Sequence, residues 1–463
     1  MTPPAPMRRT VRPVAVFVVA STGTMLATLD MFVVNVAFPA ISRSLGASVS
    51  SLSWVLNGYS IVFAALLVPA GRLSDRNGRK NAFLIGVAVF TLASALCAIA
   101  PTVAMLVAAR LLQAVGAALL VPTSLGLLLA TVPVDRRAVA VGRLTAVTAA
   151  SAALGPVLGG LLVVVDWRWI FLVNVPIGLA AIVAGARTLP TVDRTATPMP
   201  DMVGAAIAAC SIALLSLAFV EGNDWGWTSA HVVCAFAGSV VLAGAFVRRS
   251  AGHRAPVVEL ALLRVRTFAV ASAAATIYSA AFSAMLLSML LWAQIAWHWS
   301  ALQAGIAFAP APLIVLLFSR ASVGLAERFG AGRTAALGCS AFATAAVVAY
   351  LAETSTPRYF DVMLPVVTLL GFGVLLALPT LVGAATASLP SERLATGSGV
   401  ISMARQLGFT LGVALFVAVV GTSGRGRDSL TTFRHGWLAI AITAALAAVA
   451  SLALVWPKHE TEG

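Results

Sequence analysis

Of the 463 residues, 60% are hydrophobic and only 10% charged, against roughly 25% charged in ordinary soluble domains, so the chain cannot form a water-soluble surface and reads as a polytopic membrane protein. The formal net charge of +14 would suit a nucleic-acid binder. However, the cations sit in short gaps between apolar runs, with no basic helix or arginine-rich tail, which excludes nucleic acid as a partner.

The first apolar run follows Arg8, Arg9 and Arg12. It is too long for a secretory signal and lacks a small-residue cleavage site before the next run, so it reads as an uncleaved first helix. A window of about 20 residues, the length that crosses the hydrocarbon as a helix, finds fourteen spans. They cover 14–38, 52–72, 81–100, 102–128, 138–164, 168–187, 202–220, 230–248, 267–292, 302–323, 333–352, 361–382, 398–421 and 436–456. Continuous apolar runs of this length predict helices, because barrel strands alternate and are about half as long.

With the amino terminus in the cytoplasm, 22 of the 30 cations fall inside and six outside (Arg43, Arg168, Arg358, Arg425, Arg427 and Arg434), with Arg110 and Arg405 within spans. Three of the outer six lie between the last two spans, so a miscounted span would show there. Nine of the ten tryptophans, all but Trp456, fall near outer span ends, where an amphipathic indole suits the interface. Cys97, Cys210, Cys234 and Cys339 sit in four different spans without metal-ligand spacing and read as free buried thiols.

In the first span Asp30 is the one acidic residue of sixteen placed well inside the apolar run. It lies nine residues before Pro39, the expected outer end, or about 13 Å at the helical rise. In the fourth span Arg110 is eight residues from the start, about 12 Å deep on the same count. The two charges therefore share a level. Burial favours a protonated carboxyl and a nearby guanidinium an ionised one, so Asp30 can hold or release a proton according to its distance from Arg110. The plainer alternative is a permanent ion pair fastening the two helices. Gln113 shares the face of Arg110, three residues on, whereas Asn35, five after Asp30, does not share its face.

Between the second and third spans, Gly71-Arg72-Leu73-Ser74-Asp75-Arg76-Asn77-Gly78-Arg79-Lys80 forms a polar hinge. Gly71 and Gly78 allow close approach and a tight turn; Arg76, Arg79 and Lys80 suit the anionic inner leaflet. A turn that only obeys the positive-inside rule is the bland alternative. In the fifth span Gly155-Pro156 with Gly159 and Gly160 interrupts the hydrogen-bond ladder and leaves a side-chain-free stripe, a tight and movable seam or merely close packing. Glu221, Asp224, Trp225 and Trp227 mark an outer turn, and His298 between Trp297 and Trp299 an interfacial residue. Arg405 and Gln406 in the thirteenth span either face a central cavity or serve a structural, snorkelling role.

Leu73-Ser74-Asp75-Arg76-Asn77-Gly78 recurs at an offset of 252 as Leu325-Ala326-Glu327-Arg328-Phe329-Gly330. A repeat of this kind implies two six-helix halves, 1–190 and 266–463, with 191–265 carrying the extra seventh and eighth spans. No phosphate-cradling loop is present, since Lys80 and Lys458, the only lysines, follow Arg79 and Pro457. Work by this chain would have to draw on an ion gradient.

The segments Leu29–Pro39, Gly71–Lys80, Arg110–Ala118 and Gly155–Gly160, in that order, resemble motifs of the major facilitator superfamily. Trp167–Gly178 and Ser402–Gly408 further resemble its fourteen-helix drug:proton antiporter branch. The resemblance implies an all-α integral membrane protein of major-facilitator type, with two six-helix bundles plus two additional helices. It implies a proton-coupled exporter of small amphipathic compounds, drugs and antibiotics included, with Asp30 and Arg110 in the coupling region and Gly155–Gly160 as the exporter-associated motif. It also sets Asp75 beside the start of the thirteenth span, near Arg393. The expected setting is a bacterial cytoplasmic membrane with both termini cytoplasmic. The expected partners are a small-molecule substrate, protons and lipid. The expected protein is a functional monomer, not an enzyme, with no cofactor or metal. Two other functions fit the same scaffold. A specific metabolite transporter would show in growth on one nutrient, and a non-transporting receptor or assembly protein in vesicles that move nothing.

Overall fold

The computed structural model describes residues 13–133, 136–191, 198–390, 393–420 and 429–454. The chain forms α1 (Pro13–Leu45), α2 (Val49–Asn77), α3 (Arg79–Ala98), α4 (Val103–Thr131), α5 (Arg137–Val165), α6 (Trp169–Leu172), α7 (Asn174–Thr188), α8 (Met202–Trp225) and α9 (Ala230–Gly252). It continues with α10 (Arg266–Ile295), α11 (Ala301–Phe308), α12 (Pro310–Phe329), α13 (Ala331–Ala352), α14 (Leu364–Ala387), α15 (Leu394–Val420) and α16 (Ser429–Leu452). Among the described residues, fourteen spans are long and apolar enough to cross a membrane. Two of them are broken in mid-course. Pro176, in the first turn of α7, has no N–H to carry the α6 ladder onward, and Pro310 opens α12 in the same way.

Several boundaries differ from expectation. α1 runs through Pro39 to Leu45, because Phe38 and Ile41 remain buried and extend its packed face. α5 runs continuously through Pro156, so the proline does not end the ladder. Arg434 belongs to α16 and not to a loop, while Arg425, Arg427, Trp456 and Lys458 lie outside the described residues. Cys97 and Cys339 are buried free thiols, but Cys210 and Cys234 are exposed, on α8 and α9.

α1 packs on α4, α5 and α7, and α4 also on α2 and α3; α10 packs on α14, α15 and α16, and α13 on α14 and α16. α8 pairs with α9 and lies against α2 and α15. Val240 at 72% and Leu317 at 72% exposure show where apolar side chains are left for lipid, so contacts between helices rest on close packing and internal polar bonds. The largest buried cluster joins Val33, Phe38 and Leu52 to Met285, Trp292 and Ala304 at the end of the bundle away from Gly71–Lys80. Nearer that polar hinge a second cluster joins Val68 of α2 to Phe268, Leu381 and Ile401.

The repeat seen in sequence has a local structural counterpart. α2 and α12 each end one residue before a glycine with positive φ, Gly78 at 99° and Gly330 at 84°, and the next helix starts at once. A side chain in either place would be strained.

Candidate functional site

Asp30 projects from α1 into a pocket built by α2, α3, α4 and α7, where it and Arg110 are each 1% exposed. Arg110 Nη1 donates to Asp30 Oδ2, forming a buried ion pair. Arg110 Nη1 also donates to Gln113 Oε1 at 2.6 Å, and its Nε to the Val55 carbonyl at 3.2 Å. Gln113 Nε2 donates to Asp30 Oδ1 at 2.8 Å and to Ser94 Oγ at 2.9 Å, while Asn174 Nδ2 reaches Asp30 Oδ1 at 3.1 Å. The Tyr59 ring lies 4.1 Å from the guanidinium carbon, a cation–π contact. The pair expected from depth alone is thus in contact, with Gln113 as its bridge. Three groups of the network were missed: Asn174, Tyr59 and Ser94. Asn174 opens α7, just after the break that follows α6.

Beside the pair lies a small cavity lined by Met31, Asn35, Tyr59 and Arg110 on one side and by Ser283 and Phe409 on the other. Asn35 bonds to the Met31 carbonyl at 2.9 Å, so it borders the cavity without touching Asp30, as its spacing implied. Gln406 Nε2 lies 3.9 Å from Met31 Sδ, and Arg405 is a neighbour on the same helix with its Nε buried and unpartnered.

The polar hinge is held differently from expectation. Arg79 donates to Asp75 Oδ1 at 2.7 Å and to the Gly126 carbonyl at 2.9 Å, and Lys80 to the Ala186 and Leu189 carbonyls at 2.9 Å. Two cations expected at the leaflet therefore serve carbonyls near the C-terminal ends of α4 and α7, where the helix dipole favours positive charge. Arg76 is the exposed one. A Cβ at Gly71 would meet Pro122 only at 3.4 Å, so Gly71 is not forced by space. Arg393, expected near Asp75 at the start of the thirteenth span, is exposed, and α15 begins at the next residue, Leu394. Arg72, not singled out in sequence, bonds the Pro256 carbonyl at 2.9 Å and Glu259 at 3.1 Å, tying α2 to the segment before α10.

Gly155, Gly159 and Gly160 are close-packed. A Cβ at Gly155 would stand 2.6 Å from Phe32 Cβ, at Gly159 3.0 Å from the Val33 carbonyl, and at Gly160 2.6 Å from the Ala301 carbonyl. Gly305 of α11 abuts the backbone of Pro156 from the other side.

A second carboxyl escaped the sequence reading. Glu353, just past α13, is fully buried, and its Oε2 accepts from Trp292 Nε1 at 3.3 Å. Trp292 and Trp437, expected at the interface, are instead 0% exposed and stacked edge to face at 5.4 Å. Burial pushes the Glu353 carboxyl up to about 7, against the bonds from Trp292 and the Thr354 backbone. The folded protein thus binds this proton more tightly than the unfolded chain. The associated stability is complete below the ordinary carboxyl range and is lost as pH rises through about 7, on the order of 3 kcal/mol. Glu353→Gln should flatten the fall in melting temperature of detergent-purified protein between pH about 5 and about 8. A slope equal to that of the parent protein would exclude Glu353 as its source.

The Major Facilitator Superfamily model matches residues 20–413. The chain is 34% identical over 410 residues to the probable actinorhodin transporter of Streptomyces coelicolor, covering 85% of this chain and 71% of that one. It is 33% identical over 420 residues to a methylenomycin A resistance protein of the same species, covering 90% and 88%. Among solved structures, an auto-inhibited POT family peptide transporter superposes with a TM-score of 0.71 at 17% identity, over 95% of this chain and 96% of that one.

Proposed function

The chain belongs to the major facilitator superfamily, and from that premise we propose that this multi-pass membrane transporter is a proton-coupled antiporter. It exports small amphipathic compounds, drugs and antibiotics among them, by alternating access across a bacterial cytoplasmic membrane. The observation that carries this reading is the buried Asp30–Arg110 pair beside a cavity between helices of both halves of the chain. Three side-chain amide and guanidinium groups donate to Asp30. A proton arriving on the carboxyl displaces one of these donors and cancels the charge that holds Arg110. The displaced Arg110 then repositions α4 against α1 and α2, which couples protonation to shape. The names of the relatives, a transporter for actinorhodin and a methylenomycin A resistance protein, support drug and antibiotic cargo.

In this reading 1–190 and 266–463 are the moving six-helix bundles, with 191–265 as the linker carrying α8 and α9. Gly71, Asp75, Arg76, Gly78, Arg79 and Lys80 form the conformational switch at the cytoplasmic end, and Gly155, Pro156, Gly159 and Gly160 the antiporter seam. Both termini are cytoplasmic and the monomer is the working unit. A growth-inhibition and dye-efflux panel, run with and without a protonophore, tests the proposal. The expected result is efflux that stops when the protonophore is added. Efflux that continues undiminished without a proton gradient would overturn it.

A further inference from the structure

Arg405 is the twelfth residue of the 27-residue α15, deep within an apolar span. An unpaired cation at that depth is costly, and an arginine that only fastens helices is held by a carboxylate or by carbonyls. Arg405 has neither. Among the described residues it makes no hydrogen bond or ion pair, and its Nε is buried without a partner. The position is four residues before Phe409, hence one turn away and about 40° around the helix from it. Phe409 lines the central cavity and packs against Phe282 at 5.5 Å. The next residue, Gln406, reaches Met31, which also lines the cavity. On the opposite wall the charge of Arg110 is already met by Asp30. Among the described residues Arg405 is thus a positive charge without a partner, one helical turn from a cavity wall that carries aromatic rings.

We propose that Arg405 is the acid-recognising subsite of the exported compound, which makes the substrate class small apolar or aromatic molecules bearing a carboxylate or an ionised phenol. The planar guanidinium fork suits a carboxylate in a bidentate pair, and Phe32 and Phe409, which line the cavity, supply apolar contact for the rest of the molecule. An acid bound there would replace the missing partner of Arg405. The assignment rests on the export reading, since it names what that cavity carries.

Three probes with one ring system separate the possibilities: 2-naphthoate, 2-naphthylmethanol and 2-naphthylmethylammonium. Binding is measured by fluorescence on the full-length purified protein, and transport in vesicles under an imposed proton gradient. The parent protein is expected to bind naphthoate about tenfold or more tighter than the alcohol. Arg405→Gln should erase that preference while alcohol binding persists as the sign of an intact fold, and Arg405→Lys should keep part of it. A preference for the ammonium probe, or equal weakening of all three probes by Arg405→Gln, would overturn the subsite. Should Arg405→Gln fail to fold, the three-probe comparison on the parent protein and Arg405→Lys decides. Naphthoate bound as expected but no probe moved would support the subsite and sink the export reading; proton-driven export of the ammonium probe alone would do the reverse.

Discussion

Asp30→Asn is expected to abolish proton-driven efflux while the protein still inserts and folds. The substitution is nearly isosteric, and the new side-chain oxygen can still accept from Gln113 and Asn174. What it removes is the charge facing Arg110 and the carboxylate of the network, the group to which the proposed coupling assigns the proton. A buried ion left without its partner costs about 3 to 5 kcal/mol. Arg110 keeps Val55, Gln113 and the Tyr59 ring, so the cost should fall toward the lower end of that range. The companion variant Arg110→Ala leaves the carboxyl buried among amides alone and should make transport insensitive to pH. Efflux rates in vesicles at several external pH values check both. Ordinary efflux by Asp30→Asn would remove Asp30 from the mechanism, and an unchanged pH profile in Arg110→Ala would reduce the pair to a fastener.

The helical class, the number of spans and the depth of the two charges were legible because each depends on residues along one span. Asp30 and Arg110 met because both were counted from span ends, and Gln113 followed from its spacing to Arg110. The remaining partners depend on how helices are rotated about their axes, which apolar periodicity does not reveal where both lipid and protein accept the same side chains. Asn174 makes its contact from just past the break before α7, and Tyr59 from the face α2 turns toward α4. Trp292 and Trp437 sat near span ends like any interfacial indole, yet their N–H groups point inward to Glu353 and Ser288. Glu353 was passed over for the same reason, since a carboxyl at a helix end is ordinarily wet.

The glycines of α5 divide into two stripes with different expected consequences. Gly155 and Gly159 face α1, within the first half, where a methyl group would collide with Phe32 and Val33. Gly160 faces α11, where a Cβ would stand 2.6 Å from both the Ala301 carbonyl and Leu302 Cα, and Gly305 answers it against Pro156. Backbone atoms cannot move aside as a flexible side chain does, so overpacking of about 1 to 3 kcal/mol is expected in either stripe. Between α5 and α1 that energy is lost from the fold. Between α5 and α11, which separate if the two halves rock, it is lost only from the arrangement described here. Gly160→Ala and Gly305→Ala are therefore expected to shift the balance toward the opened seam by about tenfold or more and to cut transport accordingly, with melting temperature little changed. Gly159→Ala should lower the melting temperature instead. Gly142→Ala, on the same helix with nothing within 4 Å of its Cβ, should do neither. Spin-label distances between α5 and α11 provide the measurement. A seam that stays closed in both Gly160→Ala and Gly305→Ala would show that these helices do not part during transport.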